Sequence, residues 1–184
     1  MIEKKLLTLA CAAGILACGA CFLPPPPPPR IPPTAPIRIG LRGSRRIRVE
    51  VTQAPSSYHI NARWLDSSLV QEIESRLRSL HLKAYIGVAP EEGDAVLQVS
   101  ILQESVTSEP ATNGPGASTA TYSITLNCVL TASDGAIVWR ADNRVFTSRK
   151  YPLSNFERDA WSQSGPWLQS SVAPTLVTQM LEAK

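Results

Sequence analysis

Apolar and polar residues alternate along several stretches of the chain, which is the pattern of β-strands with one buried face. The longest alternation covers residues 121–131. Its apolar face comprises Tyr122, Ile124, Leu126, Cys128 and Leu130, and its polar face comprises Thr121, Ser123, Thr125, Asn127 and Thr131. Similar patterns predict strands at residues 46–52, 94–103 and 136–147, with a hairpin turn at Asp134 and Gly135. A shorter extended piece is predicted at residues 82–88.

Two other stretches show the period of an amphipathic helix. The first helical face comprises Val70, Ile73, Leu77 and Leu80, and the second comprises Leu168, Val172, Leu176 and Met180. Ser68 and Gln71 have the spacing of a capping box, which predicts that the first helix begins at residues 66–68. Pro174 should kink the second helix or mark its start. Residues 108–118 are predicted to form a loop, so the element order is β-α-β-β-β-α.

The N-terminus carries a different pattern, with a short charged start and an apolar run at residues 6–17. This run is shorter than the roughly 20 residues that span a bilayer core, and it is typical of a secretory signal. Ile15-Leu16-Ala17 directly before Cys18 resembles the bacterial lipobox, in which the cysteine is acylated and becomes the first mature residue. Cys21 is the alternative lipidation site. Neither cysteine is followed by Asp, which in bacterial sorting retains lipoproteins at the inner membrane, so we expect the outer membrane.

Two other interpretations of the cysteine pair stay open at this point: an ordinary cleaved signal without lipid, and a redox or metal-binding pair. The redox interpretation is disfavoured because a reactive C-x-x-C pair normally opens a helix after a strand, and no strand is predicted before Cys18. We therefore expect a signal peptide at residues 1–17, a lipid anchor with a proline-rich basic linker at 18–44, and one domain at 45–184.

The linker combines proline with arginine. Residues 24–36 are mostly proline and predict a stiff polyproline spacer. Six arginines precede Glu50, the first acidic residue after the signal: Arg30, Arg38, Arg42, Arg45, Arg46 and Arg48. A basic stretch beside a lipid anchor would be attracted to anionic head groups, or it is a solvated basic lead. The formal net charge of +3 does not by itself indicate nucleic-acid binding.

The order of elements behind a lipobox resembles the LPS-assembly lipoprotein LptE family. The resemblance rests on Gly-Asp-Ala-Val-Leu at residues 93–97, the alternation at 122–126, and Ser-Asp-Gly-Ala-Ile-Val-Trp at 133–139. It covers residues 46–181 and implies an α/β (α+β) sandwich, a mixed, mainly antiparallel sheet of about four strands packed by two helices. It also implies a plug and assembly partner of the LptD barrel that contacts lipopolysaccharide. The chain departs from the family at residues 53–55 and 161–174.

Candidate contact residues follow from this resemblance. Thr121, Ser123, Thr125 and Asn127 would supply a polar partner surface, or they form an ordinary solvated sheet face. Arg140, Arg144, Arg149 and Lys150 would contact lipopolysaccharide or phosphate, or they are ordinary surface charge. Trp161 and Trp167 flank Gly165 and Pro166 and would anchor a partner, or they cap the core.

No catalytic or metal-binding pattern stands out in the sequence. His59 and His81 lie on different segments, without a zinc, nucleophile-elbow or phosphate-loop motif. We therefore expect a protein that is not an enzyme and needs no cofactor, with Cys128 as a small core residue. The competing hypothesis is a periplasm-reaching accessory lipoprotein that binds a peptidoglycan synthase or a lipid-transport complex. Its fold would be similar, so fold alone does not separate the two hypotheses.

Overall fold

The computed structural model describes residues 35–53, 62–87, 89, 91–110, 118–153 and 163–183. All of them belong to a structural unit that begins at Ile31. The predicted signal peptide, both candidate lipidation cysteines, most of the proline-rich stretch and Trp161 lie outside the described residues.

The described elements are, in chain order, α1 (Ala35–Gly40), β1 (Arg46–Gln53), α2 (Ala62–Arg76), β2 (Lys83–Ile86), β3 (Asp94–Pro110), β4 (Ser118–Thr131), β5 (Ile137–Thr147), β6 (Tyr151–Leu153), α3 (Ser164–Trp167) and α4 (Ala173–Glu182). A 3-10 turn follows α2 at Arg78–Leu80, and a π-helical turn at Leu168–Val172 joins α3 to α4. The strands form one mixed sheet in the order β2-β1-β3-β4-β5, and β6 pairs with β4. β1 runs parallel to β2 and β3, whereas the other pairs are antiparallel.

The sheet has six strands instead of the four predicted. The mixed α/β architecture is confirmed, but the element order β-α-β-β-β-α is incomplete because it omits β2, β6 and the first helix. The extended piece predicted at residues 82–88 is β2, which has only four residues, and β6 has three. Strands this short contain too few alternating residues to be recognised reliably from sequence. They form because each pairs with a longer neighbouring strand.

α2 begins at Ala62, four residues before the predicted cap. Its buried side comprises Leu65, Ser68, Leu69 and Ile73, followed by Leu77 just beyond the helix. The predicted capping box is wrong because the Ser68 hydroxyl donates a hydrogen bond to the Trp64 carbonyl, inside the helix. Serine bonds in this way to the carbonyl four residues earlier when it lies within a helix. Val70 and Leu80 are only partly buried, because the true apolar stripe starts earlier at Leu65.

The C-terminal helical region buries all four residues of its predicted face, Leu168, Val172, Leu176 and Met180. Pro174 lies in the first turn of α4, directly after the π-helical turn. Proline lacks a backbone N–H and its ring crowds the preceding turn, so a widened turn is what lets the helix continue through it. Of the two predicted alternatives, a kink or a start, the structure shows Pro174 in the first turn of the regular helix α4.

β3 and β4 extend further than their patterns predict, to Pro110 and from Ser118. Residues 108–110 and 118, assigned to a loop from sequence, are therefore in strands, and residues 111–117 lie outside the described part. Pairing continues in register up to Pro110 opposite Ser118. The backbone ladder extends both strands here although the side chains show turn composition.

Helix α1 falls in residues that the sequence assigns to the linker. Ile37 and Leu41 are buried in the core, so the folded unit includes them. α1 packs against β5, and a Cβ added to Gly40 would lie 2.5 Å from Val138 Cγ1. Only glycine permits this close approach, which seats the helix against the strand.

The core is formed by the apolar face of the sheet together with the buried sides of the helices. Cys128 lies in it, as predicted, and is free. Its burial raises the pKa of the thiol to about 12, so it stays protonated and unreactive.

Candidate functional site: the polar sheet face and its clefts

The opposite face of the sheet is polar. On β4, buried residues alternate strictly with half-buried ones, as the sequence predicts. The half-buried set includes Thr121, Ser123, Thr125 and Asn127. Across from them on β3 lie polar residues as well: Ser105 faces Ser123, and Gln103 faces Thr125.

A continuous polar row crosses four strands of this face. It comprises Thr52, Ser100, Asn127 and Asn143, and we call it the polar row. The Thr52 hydroxyl donates to Ser100 Oγ at 3.1 Å, and the Asn127 side-chain oxygen accepts the backbone N–H of Asn143 at 2.7 Å. The predicted stripe on β4 is therefore part of a wider polar surface.

A β-bulge in β5 lies at the end of the polar row. Asp142 and Asn143 together oppose Asn127, because Cys128 pairs with Ala141 and Leu126 pairs with Arg144. Asn143 has φ of 50°, a left-handed conformation that asparagine tolerates. The inserted residue reverses which face each later side chain occupies. Phe146 consequently packs against the core, whereas Val145 is 63% exposed.

The bulge also places Arg144 opposite the buried Leu126, on the helix side of β5. Arg140 and Arg144 line one cleft of about 510 Å³ between β5 and the end of α4, together with Gln179 and Glu182. The exposed Arg140 guanidinium donates from Nε to both carboxylate oxygens of Asp142 at 2.9 and 3.0 Å. The cleft lining therefore combines two cations with the acidic Glu182, and an anion that bound Arg140 would compete with Asp142.

The other two predicted cations lie elsewhere. Arg149 lines a second cleft, of about 290 Å³, beside Trp167 and Ser170, and its guanidinium lies 5.4 Å from the Tyr151 ring centroid. Lys150 forms an ion pair with Glu109 of β3. The four cations are therefore divided over separate sites, although they are close in sequence.

The structure places Trp167 in the core, where it is 1% exposed and stacks on Tyr122 with ring centroids 5.8 Å apart. A side chain this buried does not form a partner surface, so the alternative prediction, that Trp167 caps the core, is the one that fits. Trp64, which the sequence analysis did not select, is 49% exposed instead. It lines a groove of about 300 Å³ with Arg63, Gln71 and Gln169.

An ionic network that was not predicted from the sequence joins the first residues of β1 and β3 to Tyr85 of β2. The Asp94 carboxylate, at the start of β3, accepts hydrogen bonds from Arg46 Nε at 3.0 Å, from the Glu91 backbone N–H at 3.0 Å and from the Tyr85 hydroxyl. The Arg46 guanidinium also pairs with Glu91 and lies 5.0 Å from the Tyr85 ring centroid. The sequence feature that points to this network is Gly93 directly before Asp94. Gly93 has φ of 87° and ends a tight turn.

The network determines the ionisation of Asp94. Burial by itself would raise its pKa, but the hydrogen bonds from Tyr85, the Glu91 N–H and Arg46 outweigh burial and lower the pKa below 3.8. The hydrogen bond to Asp94 raises the pKa of Tyr85 in turn. Both carboxylate oxygens are occupied, so the network holds strand ends together and offers no free base.

Within the described part of the chain, no group of three or more His, Cys, Asp or Glu residues could hold a metal ion. None of the helices described there is long and apolar enough to cross a membrane. His81 is exposed and lies in a turn with φ of 56°, and His59 is outside the described residues.

No protein-family model matches the chain, and no curated protein matches it. Among solved structures, a protein from Xanthomonas campestris is 18% identical, with 86% of this chain and 90% of that chain covered and a TM-score of 0.47. An uncharacterized lipoprotein B from Nitrosomonas europaea is 15% identical, covering 75% and 80% with a TM-score of 0.35. The rare lipoprotein B from Shewanella oneidensis is 12% identical, covering 74% and 92% with a TM-score of 0.27. Lipoproteins recur among the similar structures, but such values define neither a family nor a function for this chain.

Proposed function

We propose that the chain is an outer-membrane lipoprotein of the LptE type, anchored through Cys18 or, alternatively, Cys21. In this role it is the plug and assembly partner of an LptD-type barrel and takes part in lipopolysaccharide assembly. It is not an enzyme. The anchor is supported by the apolar run and the small residues directly before Cys18.

The observation that carries the proposal is the polar face of the sheet, with the polar row at its centre. A body that sits in a wet barrel lumen needs a rigid framework with hydroxyl and amide groups on its outer surface. Thr121, Ser123 and Thr125 present such groups on a strand whose other side is anchored in the core. The partner surface therefore extends from β4 over β3.

The cleft between β5 and α4 supports a lipopolysaccharide contact. Arg140 and Arg144 share this cleft, and guanidinium groups bind phosphate oxygens with paired hydrogen bonds. Arg149 and Lys150 would then be a second, separate contact, because they lie outside this cleft.

The test is a gentle-detergent pull-down of the tagged, acylated chain from its own envelope, with retained proteins identified by mass spectrometry. We expect one large outer-membrane barrel in near one-to-one ratio. Thr125→Glu should abolish its recovery by burying a charge in the interface. Ser75→Glu, on the exposed side of α2, is the matched control and should retain it. Recovery of a peptidoglycan synthase or a transport complex without a barrel would replace this proposal by the accessory-lipoprotein hypothesis.

The anchor is tested separately by mass spectrometry of the N-terminal peptide. Cys18→Ser should abolish acylation and processing, whereas Cys21→Ser should leave a diacylated residue at position 18. The reverse result would move the anchor to Cys21, and an unmodified mature N-terminus in the unaltered chain would exclude a lipoprotein.

A further inference from the structure

The basic stretch around α1 is divided by the structure into two functionally different halves. Arg46 is held by Asp94 and Glu91, and Arg48 is buried, with ion pairing to Glu50 and a hydrogen bond to the Gly87 carbonyl. Arg38, Arg42 and Arg45 are exposed instead, and among the described residues none of them has an ion-pair partner. Arg46 and Arg48 therefore stabilise the fold, whereas Arg38, Arg42 and Arg45 remain available to bind an external anion.

An exposed apolar residue lies between these cations. Ile39 is 62% exposed, whereas Ile37, two positions earlier on the opposite side of α1, is fully buried. A second exposed isoleucine, Ile137 at 60%, is adjacent to Val138, the residue that Gly40 contacts. At a membrane interface, an apolar side chain such as Ile39 would enter the acyl boundary while neighbouring arginines stay at the level of the lipid phosphates.

α1 is tied to the core on one side, which leaves its opposite side facing outward. Ile37 and Leu41 are anchored in the core, and the Ser44 hydroxyl lies 3.3 Å from that of Ser133 in the β4–β5 turn. Asp134 in that turn is acidic, and its carboxylate accepts the backbone N–H of Ala136.

We infer that Arg38, Ile39 and Arg42 form a docking patch for an anionic phospholipid bilayer. The arginines bind lipid phosphates while Ile39 enters the acyl boundary, which seats the domain on the membrane with α1 facing it. The patch would act with a lipid anchor but does not require one, so the inference goes beyond the proposed function. The alternative, a domain held away from the membrane by its proline-rich lead, would leave these residues in water.

Hydrogen–deuterium exchange of the full chain reconstituted in vesicles tests the patch. In phosphatidylglycerol-containing vesicles, exchange at residues 37–45 should be at least about fivefold slower than in pure phosphatidylcholine, since each near-surface arginine favours contact by about that factor. High salt should remove the difference by screening. Inorganic phosphate without vesicles should not reproduce it, because it offers no acyl boundary to Ile39.

Two double variants with the same charge change sharpen the test. Arg38→Glu with Arg42→Glu should abolish the slowing, whereas Arg78→Glu with Lys83→Glu, two exposed cations elsewhere, should retain it. Equal loss in both would show that only net charge matters and would overturn the inference. Equal protection in neutral vesicles or by phosphate alone would also overturn it. Acylation is read in parallel by mass spectrometry, so a missing anchor and a missing patch give different results.

Discussion

The two faces of β4 have different surroundings, one apolar and buried and the other polar and half-buried. Tyr122, Ile124 and Leu126 are fully buried against helices of the same chain, with Tyr122 stacked on Trp167. Thr121, Ser123 and Thr125 alternate with them and are only half-buried, among polar residues of the neighbouring strand. The apolar face therefore accounts for folding, whereas the polar face stays half-buried and is the surface proposed for a partner. Substitutions on the two faces should therefore separate stability from binding.

The largest loss of stability is expected from Trp167→Ala on the buried side. Removing this core ring should lower the free energy of unfolding by about 3–5 kcal/mol, measured by urea denaturation. Trp64→Ala is the matched control on a half-exposed ring and should cost clearly less. Equal losses would contradict the central position in the core that the burial of Trp167 indicates.

A smaller loss is expected from Asp94→Asn, at the edge where three strands begin. The amide can no longer accept all the hydrogen bonds from Arg46, Tyr85 and the Glu91 N–H, which should cost about 1–3 kcal/mol at neutral pH.

The pH dependence of stability tests the same network. The pKa of Asp94 is lower in the folded state, so its contribution is fully present above the unfolded value of 3.8 and is lost as pH falls through the folded pKa. As the pH is lowered from 3.8, the unfolding free energy of the unaltered chain should decrease. Asp94→Asn should show a shallower fall, and identical slopes would contradict the prediction.

Asn127→Ala should have a smaller effect still, at the bulge that joins the two faces. It removes the acceptor of the Asn143 N–H and should cost about 1 kcal/mol. Asn143→Gly, which keeps that N–H and suits a positive φ, should be neutral or slightly stabilising. A larger cost for Asn143→Gly than for Asn127→Ala in urea denaturation would show that the bulge is held by other contacts.

The smallest change in stability is expected from Thr125→Val on the polar face, within about 0.5 kcal/mol. Under the proposed function, the same change should weaken recovery of the barrel, because it removes a hydroxyl from the partner surface. A destabilised variant with unchanged partner recovery would reverse the comparison between the two faces.

The main strands and the C-terminal helical face could be predicted from sequence because their periodicity is long, whereas the buried stripe of α2 starts at Leu65 and leaves Val70 and Leu80 only partly buried. The α2 start was misplaced because Ser68 satisfies both a capping pattern and a bond within the helix. The short strands β2 and β6 were incompletely recognised, since pairing with long neighbours decides their formation. Of the candidate site residues, the β4 stripe has the half-buried polar face that its alternation predicts, and its role as a partner surface stays a prediction, whereas Trp167 takes the second of its two predicted roles and lies in the core.

Local residue pattern is enough to predict the alternation of β4, the turn at Asp134 and Gly135, and the burial of Cys128. The tertiary fold, by contrast, gives Arg46 and Arg48 partners within the domain while Arg38 and Arg42 stay exposed. It also decided that the bulge at Asn143 reverses the faces of Arg144, Val145 and Phe146. The physical reason is that a charge's partner and a strand's register are set by residues distant in sequence, such as Asp94 for Arg46 and Asn127 for Asn143.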